Sequence, residues 1–208
     1  MNAPIASDQR NSLQKAELQS KVVRGLEANL PSSSLLWNRE DTTPYECDGL
    51  TAYRQPPMVV VLPDTTAQVS QVLKYCHEHA IKVVPRGSGT GLSGGSVALE
   101  QAVVLSLLRL NRILEIDRAN MTASLEPGVI TAQLHAAVEA QGLFYPPDPG
   151  SMKICTVGGN VAENAGGLRG LKYGVTRDYV MGLEVVLPDG REVQIRPAPR
   201  RVPPPVRA

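Results

Sequence analysis

Pro85-Arg86-Gly87-Ser88-Gly89-Thr90-Gly91-Leu92-Ser93-Gly94-Gly95 is the stretch on which the reading of this chain turns. From Gly87 to Gly95, five of nine residues are glycine and two are serine. Such a run loses a large amount of backbone entropy on folding. What it gains is close approach: bare main-chain N–H groups can converge on one concavity and hold an anion. Ser88, Thr90 and Ser93 add hydroxyl donors. A diphosphate suits that arrangement; a flexible surface turn is the purely structural alternative. Gly89-Thr90-Gly91-Leu92-Ser93-Gly94 matches G-x-G-x-x-G, but a doubly wound dinucleotide site needs a helix directly after the loop. Ser96 to Gln101 is too short for that helix before the next apolar run. No Gly-Lys-Ser/Thr closes a P-loop either. The loop itself must do the holding.

The flanking sequence predicts a strand–helix–strand unit that delivers this loop. Met58-Val59-Val60-Val61-Leu62 is an apolar run between prolines and reads as a buried strand. Asp64 or Thr65 caps a helix to about Ala80, with Gln68 at the third position of a capping box and Val69, Val72, Leu73 and Cys76 facing inward. Lys82-Val83-Val84-Pro85 is a second strand, and the short crossover predicts parallel pairing. Beyond the loop, strands are expected at Ala102–Leu107, Ile113–Asp117 and Thr122–Leu125. A helix follows over Thr131–Gln141, with Leu134, Ala137 and Val138 inward and Gly142 as its stop. Pro146 to Gly150 is extended. Met181–Leu187 and Glu192–Ile195, joined at Asp189-Gly190, read as a hairpin. Upstream, Ser12 to Leu30 reads as an amphipathic helix carrying Leu13, Ala16, Val22, Val23 and Leu26 on one face, and Leu35 to Gln55 as irregular.

A second glycine-rich stretch runs from Val157 to Gly167. Gly158, Gly159, Gly166 and Gly167 permit close backbone approach, and the Asn160 and Asn164 amides suit a heteroaromatic ring edge or sugar-alcohol hydroxyls. A long structural turn is the alternative. Two such stretches in one small domain favour an elongated dinucleotide over a small anion.

Composition narrows the function classes. The 208 residues are 42% hydrophobic and 20% charged, with a net charge of +1. That balance gives no global drive toward nucleic acid. No signal core or apolar run long enough to span a bilayer is present, so a cytoplasmic protein is expected. Cys47, Cys76 and Cys155 lack metal or redox spacing and read as reduced thiols. His77 and His79, two apart on a helix, point to different faces and do not form a metal site. Residues 1–56 read as an N-terminal extension, 57–196 as the ligand-binding domain and 197–208 as a tail. The tail uses only proline, alanine, arginine and valine and cannot pack a core.

Taken in order, four motifs resemble a known family: Pro85 to Gly91, Pro147-Asp148-Pro149, Thr156 to Asn160 with Asn164 to Gly167, and Lys172-Tyr173-Gly174-Val175-Thr176-Arg177-Asp178. Pro44-Tyr45-Glu46-Cys47-Asp48-Gly49 adds to the likeness. Together they resemble the FAD-binding domain of the vanillyl-alcohol-oxidase/PCMH superfamily, and within it the glycolate oxidase D-subunit and D-lactate dehydrogenase group. The resemblance implies an α+β fold of two small α/β subdomains with FAD between them. It implies that Pro85 and Arg86 through Gly91, including Ser88, Gly89 and Thr90, cradle the FAD pyrophosphate by main-chain amides, together with Ser93 and Gly94. Pro147 and Ser151 would line the flavin or its ribityl chain. Gly158, Gly159 and Asn160, with Asn164, would pass close to the isoalloxazine. Gly166, Tyr173, Gly174 and Thr176 would complete the groove, with Val180 toward the adenine side.

Thr90 stands where some relatives carry a histidine that bonds the flavin covalently, so non-covalent FAD is expected. The implied reaction is hydride transfer from the alpha carbon of a 2-hydroxy acid, glycolate or D-lactate, to flavin. The resemblance also allows for other subunits of a glycolate-oxidase-like complex and for peripheral attachment to the inner membrane through such partners. No Arg/His constellation for binding a 2-hydroxy acid is evident, so the chain alone is expected to be inactive and to lack a substrate domain. Another flavoenzyme of the same superfold, or a non-catalytic flavin-binding or partner-docking module, stays open.

The tail has the composition of a GC-rich gene read out of phase, so the sequence is expected to diverge near Arg196. The coding DNA tests this. An extension in another phase is expected, whereas a continuous in-phase frame with no such extension overturns it.

Overall fold

The computed structural model describes residues 4–195. Arg196 and the proline-rich tail lie outside the described residues.

Three consecutive valines set the architecture. Val59, Val60 and Val61 form β2 and are fully buried. A strand with no exposed position must be covered on both faces, which is the signature of a parallel sheet with a layer on each side. Its neighbour β4, Val103–Ser106, is also buried along its whole length. β3, Val83–Arg86, flanks β4 on the other side, and both pairings are parallel, with Val59 and Val83 each opposite Val103. β1, Leu35–Leu36, pairs antiparallel with the outer edge of β2. The strand order is therefore β1-β2-β4-β3.

This corrects the expected direct pairing of β2 with β3. They run parallel, but β4 lies between them. The chain returns after the glycine loop with Ala102-Val103-Val104-Leu105, four residues of at most 2% exposure. The more apolar strand takes the centre of the sheet.

One face of the sheet is covered by α1, Pro4–Glu27, and α3, Thr66–Glu78. Val22, Val23 and Leu26 of α1, with Val69, Val72 and Cys76 of α3, pack on Val59, Val61, Val103 and Leu105. Burial pushes the Cys76 thiol up to about 11, which leaves it protonated and inert. α3 begins as expected: the Thr65 hydroxyl accepts from the Gln68 N–H at 3.2 Å, and Gln68 reaches back to the Asp64 N–H. The other face carries Val60, Val84, Ala98, Ala102 and Val104, closed over by Leu36 and Tyr45.

The segment expected to be irregular supplies that cover. It contains β1, a short helix α2 at Arg39–Thr42 and a 3-10 turn at Thr43–Tyr45. α1 starts eight residues earlier than the Ser12 expected from periodicity, at Pro4, and Leu13 points to solvent at 65% exposure.

A second, smaller unit follows. β5, Ile113–Asp117, and β6, Thr122–Leu125, form an antiparallel hairpin. α4, Thr131–Glu139, packs on it through Leu134 and Val138, joined by Val129 just before the helix, against Ile113, Ile116, Ala123 and Leu125. The last hairpin, β7 at Leu183–Val186 and β8 at Glu192–Ile195, is held to α3 where the Ser70 hydroxyl donates to the Gly190 carbonyl. The result is the expected α+β arrangement, with one core cluster on each face of the main sheet and a third between α4 and its hairpin. Among the described residues, no helix is long and apolar enough to cross a membrane.

Leu26 is 2% exposed, so Leu26→Ala should cost about 2–5 kcal/mol of stability in urea denaturation. Leu13→Ala should stay within about 0.5 kcal/mol. Equal costs would place α1 differently.

Candidate functional site

The glycine loop leaves β3 directly after Arg86. Gly89 has φ of +72° and Gly94 of +80°. Around the first bend, the backbone N–H groups of Ser88 through Leu92 donate to no group among the described residues. They are half-buried apart from exposed Leu92. A Cβ on Gly91 would meet nothing within 4 Å, so that side of the loop is open. A Cβ on Gly87 would lie 2.4 Å from the Thr156 hydroxyl, which makes Gly87 the point where the loop touches the second unit.

Arg86 lies beneath the loop, with 7% of its surface exposed. Its Nη1 donates to the Ser96 carbonyl at 3.2 Å, and its guanidinium sits 5.7 Å from the centre of the Tyr45 ring. Burial lowers its pKa, while Cys47, Tyr45 and Asp48 oppose that shift. An arginine remains charged even so. A Cβ on Gly89 would fall 2.1 Å from its Nη2, so glycine is required there by space as well as by φ. The loop thus presents free N–H donors above a buried positive charge. Ser106, opposite Arg86 in the β3–β4 register, has a fully buried hydroxyl with no partner.

The second glycine stretch is not extended. Val157–Glu163 forms a helix, α5, capped by the Thr156 hydroxyl, which accepts from the Gly159 N–H at 3.3 Å. Its first amides are taken up internally. Val157 N–H donates to Val129 O, Gly158 N–H to Pro127 O and Asn160 N–H to Thr156 O. Gly158 is small because Pro127 crosses it; a Cβ there would lie 2.5 Å from the proline Cβ. The Asn160 side chain is buried and donates to the Thr131 hydroxyl at 2.7 Å.

The other motifs gather around α5. Its C-cap Asn164 accepts from the Arg177 N–H at 3.0 Å, and Ala165 O accepts from the buried Thr176 hydroxyl at 2.6 Å. Gly166 packs on Val175, and Gly167 runs against the Asp148 carbonyl. The Asp148 carboxylate accepts from the Arg169 N–H at 3.0 Å. Pro147 is buried, and its carbonyl accepts from His135 Nε2 at 2.8 Å. Ser151 is half-buried, and its carbonyl accepts from Ile154 and Cys155. Tyr173 ends the short helix α6, Gly170–Tyr173, and stands edge-on to Phe144 at 5.7 Å. Gly174 follows with φ of +84°. Val180 lies just beyond, half-buried, without a hydrogen bond to this group.

Sequence reasoning assigned no role to four residues that shape the loop, Asp48, Gly49, Thr156 and Glu163, although the first three stand in the quoted motifs. Asp48 and Gly49 belong to a segment whose packing on the loop is non-local. Thr156 was legible as an N-cap had Val157–Glu163 been read as a helix.

The three histidines stand away from the loop, on α3, at its C-cap and in α4. The described residues contain no cluster of three metal-ligating side chains. A shallow cavity of about 450 Å³ opens beside Gln19, Trp37 and Arg39 and shares no residue with the loop. The candidate site is an open cradle.

The family model described as an FAD binding domain matches residues 57–196. The chain is 56% identical over 146 residues to glycolate oxidase subunit GlcD of Bacillus subtilis, covering 70% of this chain and 31% of that protein. It is 48% identical over 139 residues to D-lactate dehydrogenase of Anaerostipes hadrus, covering 67% and 29%. The solved structure of p-cresol methylhydroxylase with substrate bound superposes with a TM-score of 0.74 at 27% identity, covering 86% of this chain and 35% of that one. The chain therefore spans about a third of the length of such relatives.

Gly89→Ala is expected to destabilise the fold by about 1–2 kcal/mol, since a left-handed backbone disfavours a Cβ. Gly91→Ala, facing open space, should stay within about 0.5 kcal/mol. Chemical denaturation of both variants checks the contrast.

Proposed function

The chain belongs to the FAD binding domain family, and from that premise we propose that its glycine loop holds the FAD diphosphate, without a covalent bond, in a 2-hydroxy-acid oxidoreductase. The observation that carries the reading is the row of unpartnered N–H groups from Ser88 to Leu92 above buried Arg86. Peptide donors preorganised over a buried cation suit a dianionic bridge, and they need neither a helix end nor a metal.

The remaining contacts follow from the same placement. Pro85, Arg86 and Gly87 deliver the loop to the edge of α5. Gly158, Gly159 and Asn160 on α5, with Pro147, Ser151, Asn164 and Gly166 around it, offer the surface along which the flavin end extends. Tyr173, Gly174 and Thr176 close the far side, with Val180 toward the adenine end. Thr90 in the loop offers no nitrogen for a covalent link.

Bound flavin supplies a two-electron acceptor for the hydride of a substrate alpha carbon. The names of the relatives suggest glycolate or D-lactate as that substrate. This chain's own residues bind and orient; they do not form a substrate clamp. Arg169 pairs with Asp148 at 3.4 Å, Arg177 lies 3.9 Å from Asp178, and Lys172 rests on the Tyr173 ring. A carboxylate substrate needs a cationic clamp and a base at its hydroxyl, and these belong to further sequence or to other subunits of a glycolate-oxidase-like complex. Those subunits would also carry any peripheral attachment to the inner membrane.

The purified chain mixed with FAD should keep visible flavin absorption through gel filtration and release all of it on acid precipitation. With glycolate or D-lactate and an artificial acceptor it should show no turnover. Flavin lost on the column overturns the cofactor assignment, flavin retained in the acid pellet overturns its non-covalent attachment, and robust turnover overturns the division of roles.

A further inference from the structure

The two halves of the glycine loop are treated differently by the protein. In the first half, Ser88 to Leu92, the amides are free. In the second half the Gly94 N–H and the Ser93 hydroxyl are taken up by carboxylates. Asp48, 5% exposed, accepts from the Gly94 N–H at 2.9 Å through Oδ2 and from the Leu50 N–H at 2.8 Å through Oδ1. One residue on, the Gly49 N–H donates to the Gly91 carbonyl at 2.9 Å, and a Cβ on Gly49 would crowd that oxygen. From the other side, Glu163 of α5 accepts from the Ser93 hydroxyl at 3.1 Å, and its Oε1 leaves no ordinary room for a Cβ on Gly95.

We infer that Asp48 is a positioning residue: it fastens the far end of the loop and closes that half to anions, so that a diphosphate can be gripped only by Ser88 through Leu92. This rests on the FAD reading above. Two carboxylates border Ser93 to Gly95, one buried and one at the rim. A phosphate placed there would face negative charge and would have to displace a bonded donor. The amides of the open half donate to neither carboxylate, and Arg86 lies beneath them. Ser93 and Gly94 then keep the loop's shape and do not touch the ligand.

The test measures FAD affinity by calorimetry and backbone hydrogen exchange of the FAD-free chain. Asp48→Ala should raise Kd about tenfold or more and speed exchange across residues 88–95, as loss of a charge-assisted hydrogen bond would. Asp48→Asn should fall between, because its carbonyl oxygen can still accept one N–H. Ser93→Ala should leave Kd within about twofold. Val72→Ala, in the core behind the sheet, should lower Tm without changing Kd. Unchanged exchange in Asp48→Ala, a tenfold loss in Ser93→Ala, or an equal loss in a Val72→Ala sample of matched stability overturns the inference. If the unaltered chain takes up no FAD, the cofactor reading fails, and the exchange measurement still decides whether Asp48 fastens the loop.

Discussion

A guanidinium buried under a loop of bare peptide groups is the constraint on which the site depends. Arg86 ends β3 inside the sheet's second face, where it is 7% exposed. A buried charge is costly unless its donors are used and its field is answered. Here a carbonyl and a tyrosine ring answer part of it, and no carboxylate comes within ion-pair distance of it among the described residues. The remaining field reaches the loop directly above. The same side chain fills the space under Gly89, so one residue sets both the charge of the cradle and its floor.

Everything else in the first unit serves to place that residue. β4 must lie between β2 and β3 for Arg86 to sit opposite Ser106 with the second face covered. The cover comes from chain on both sides of the sheet in sequence: Leu36 and Tyr45 from before β2, Ala98 from after the loop. The second unit contributes α5, onto which each glycine-containing motif converges. α5 uses its own first amides on Val129, Pro127 and Thr156, so it acts as a scaffold and leaves the loop as the principal donor surface.

What could be read in the sequence was local. The valine run at 59–61, the Thr65 cap, the stop at Gly142 and the 183–195 hairpin follow from neighbours a few residues apart, and all appear in the fold. The insertion of β4 between the two earlier strands was not legible, because strand order depends on which run is most apolar over a distance of some twenty residues. β1 has only two residues, too few for a period. α5 was hidden by Gly158 and Gly159, since two glycines in a first turn argue against a helix on propensity. It forms because Pro127 crosses at that point and admits nothing larger. At the site, the loop was legible from composition, but the carboxylates that shape it were not, since Asp48 lies 46 residues before Gly94.

The three glycines that match G-x-G-x-x-G show why the pattern alone misleads. In a doubly wound fold, such glycines serve one turn at a helix start. Here they do three different things. Gly89 bends the chain over Arg86. Gly91 keeps the outer side of the cradle open and lends its carbonyl to Gly49. Gly94 turns back toward Asp48 and gives that carboxylate its N–H. The motif's letters are met, yet no helix follows, and of the three glycines only Gly94 has its own N–H taken by a carboxylate. A loop of this kind derives its selectivity for anions from where carboxylates have been placed against it as much as from how many glycines it contains.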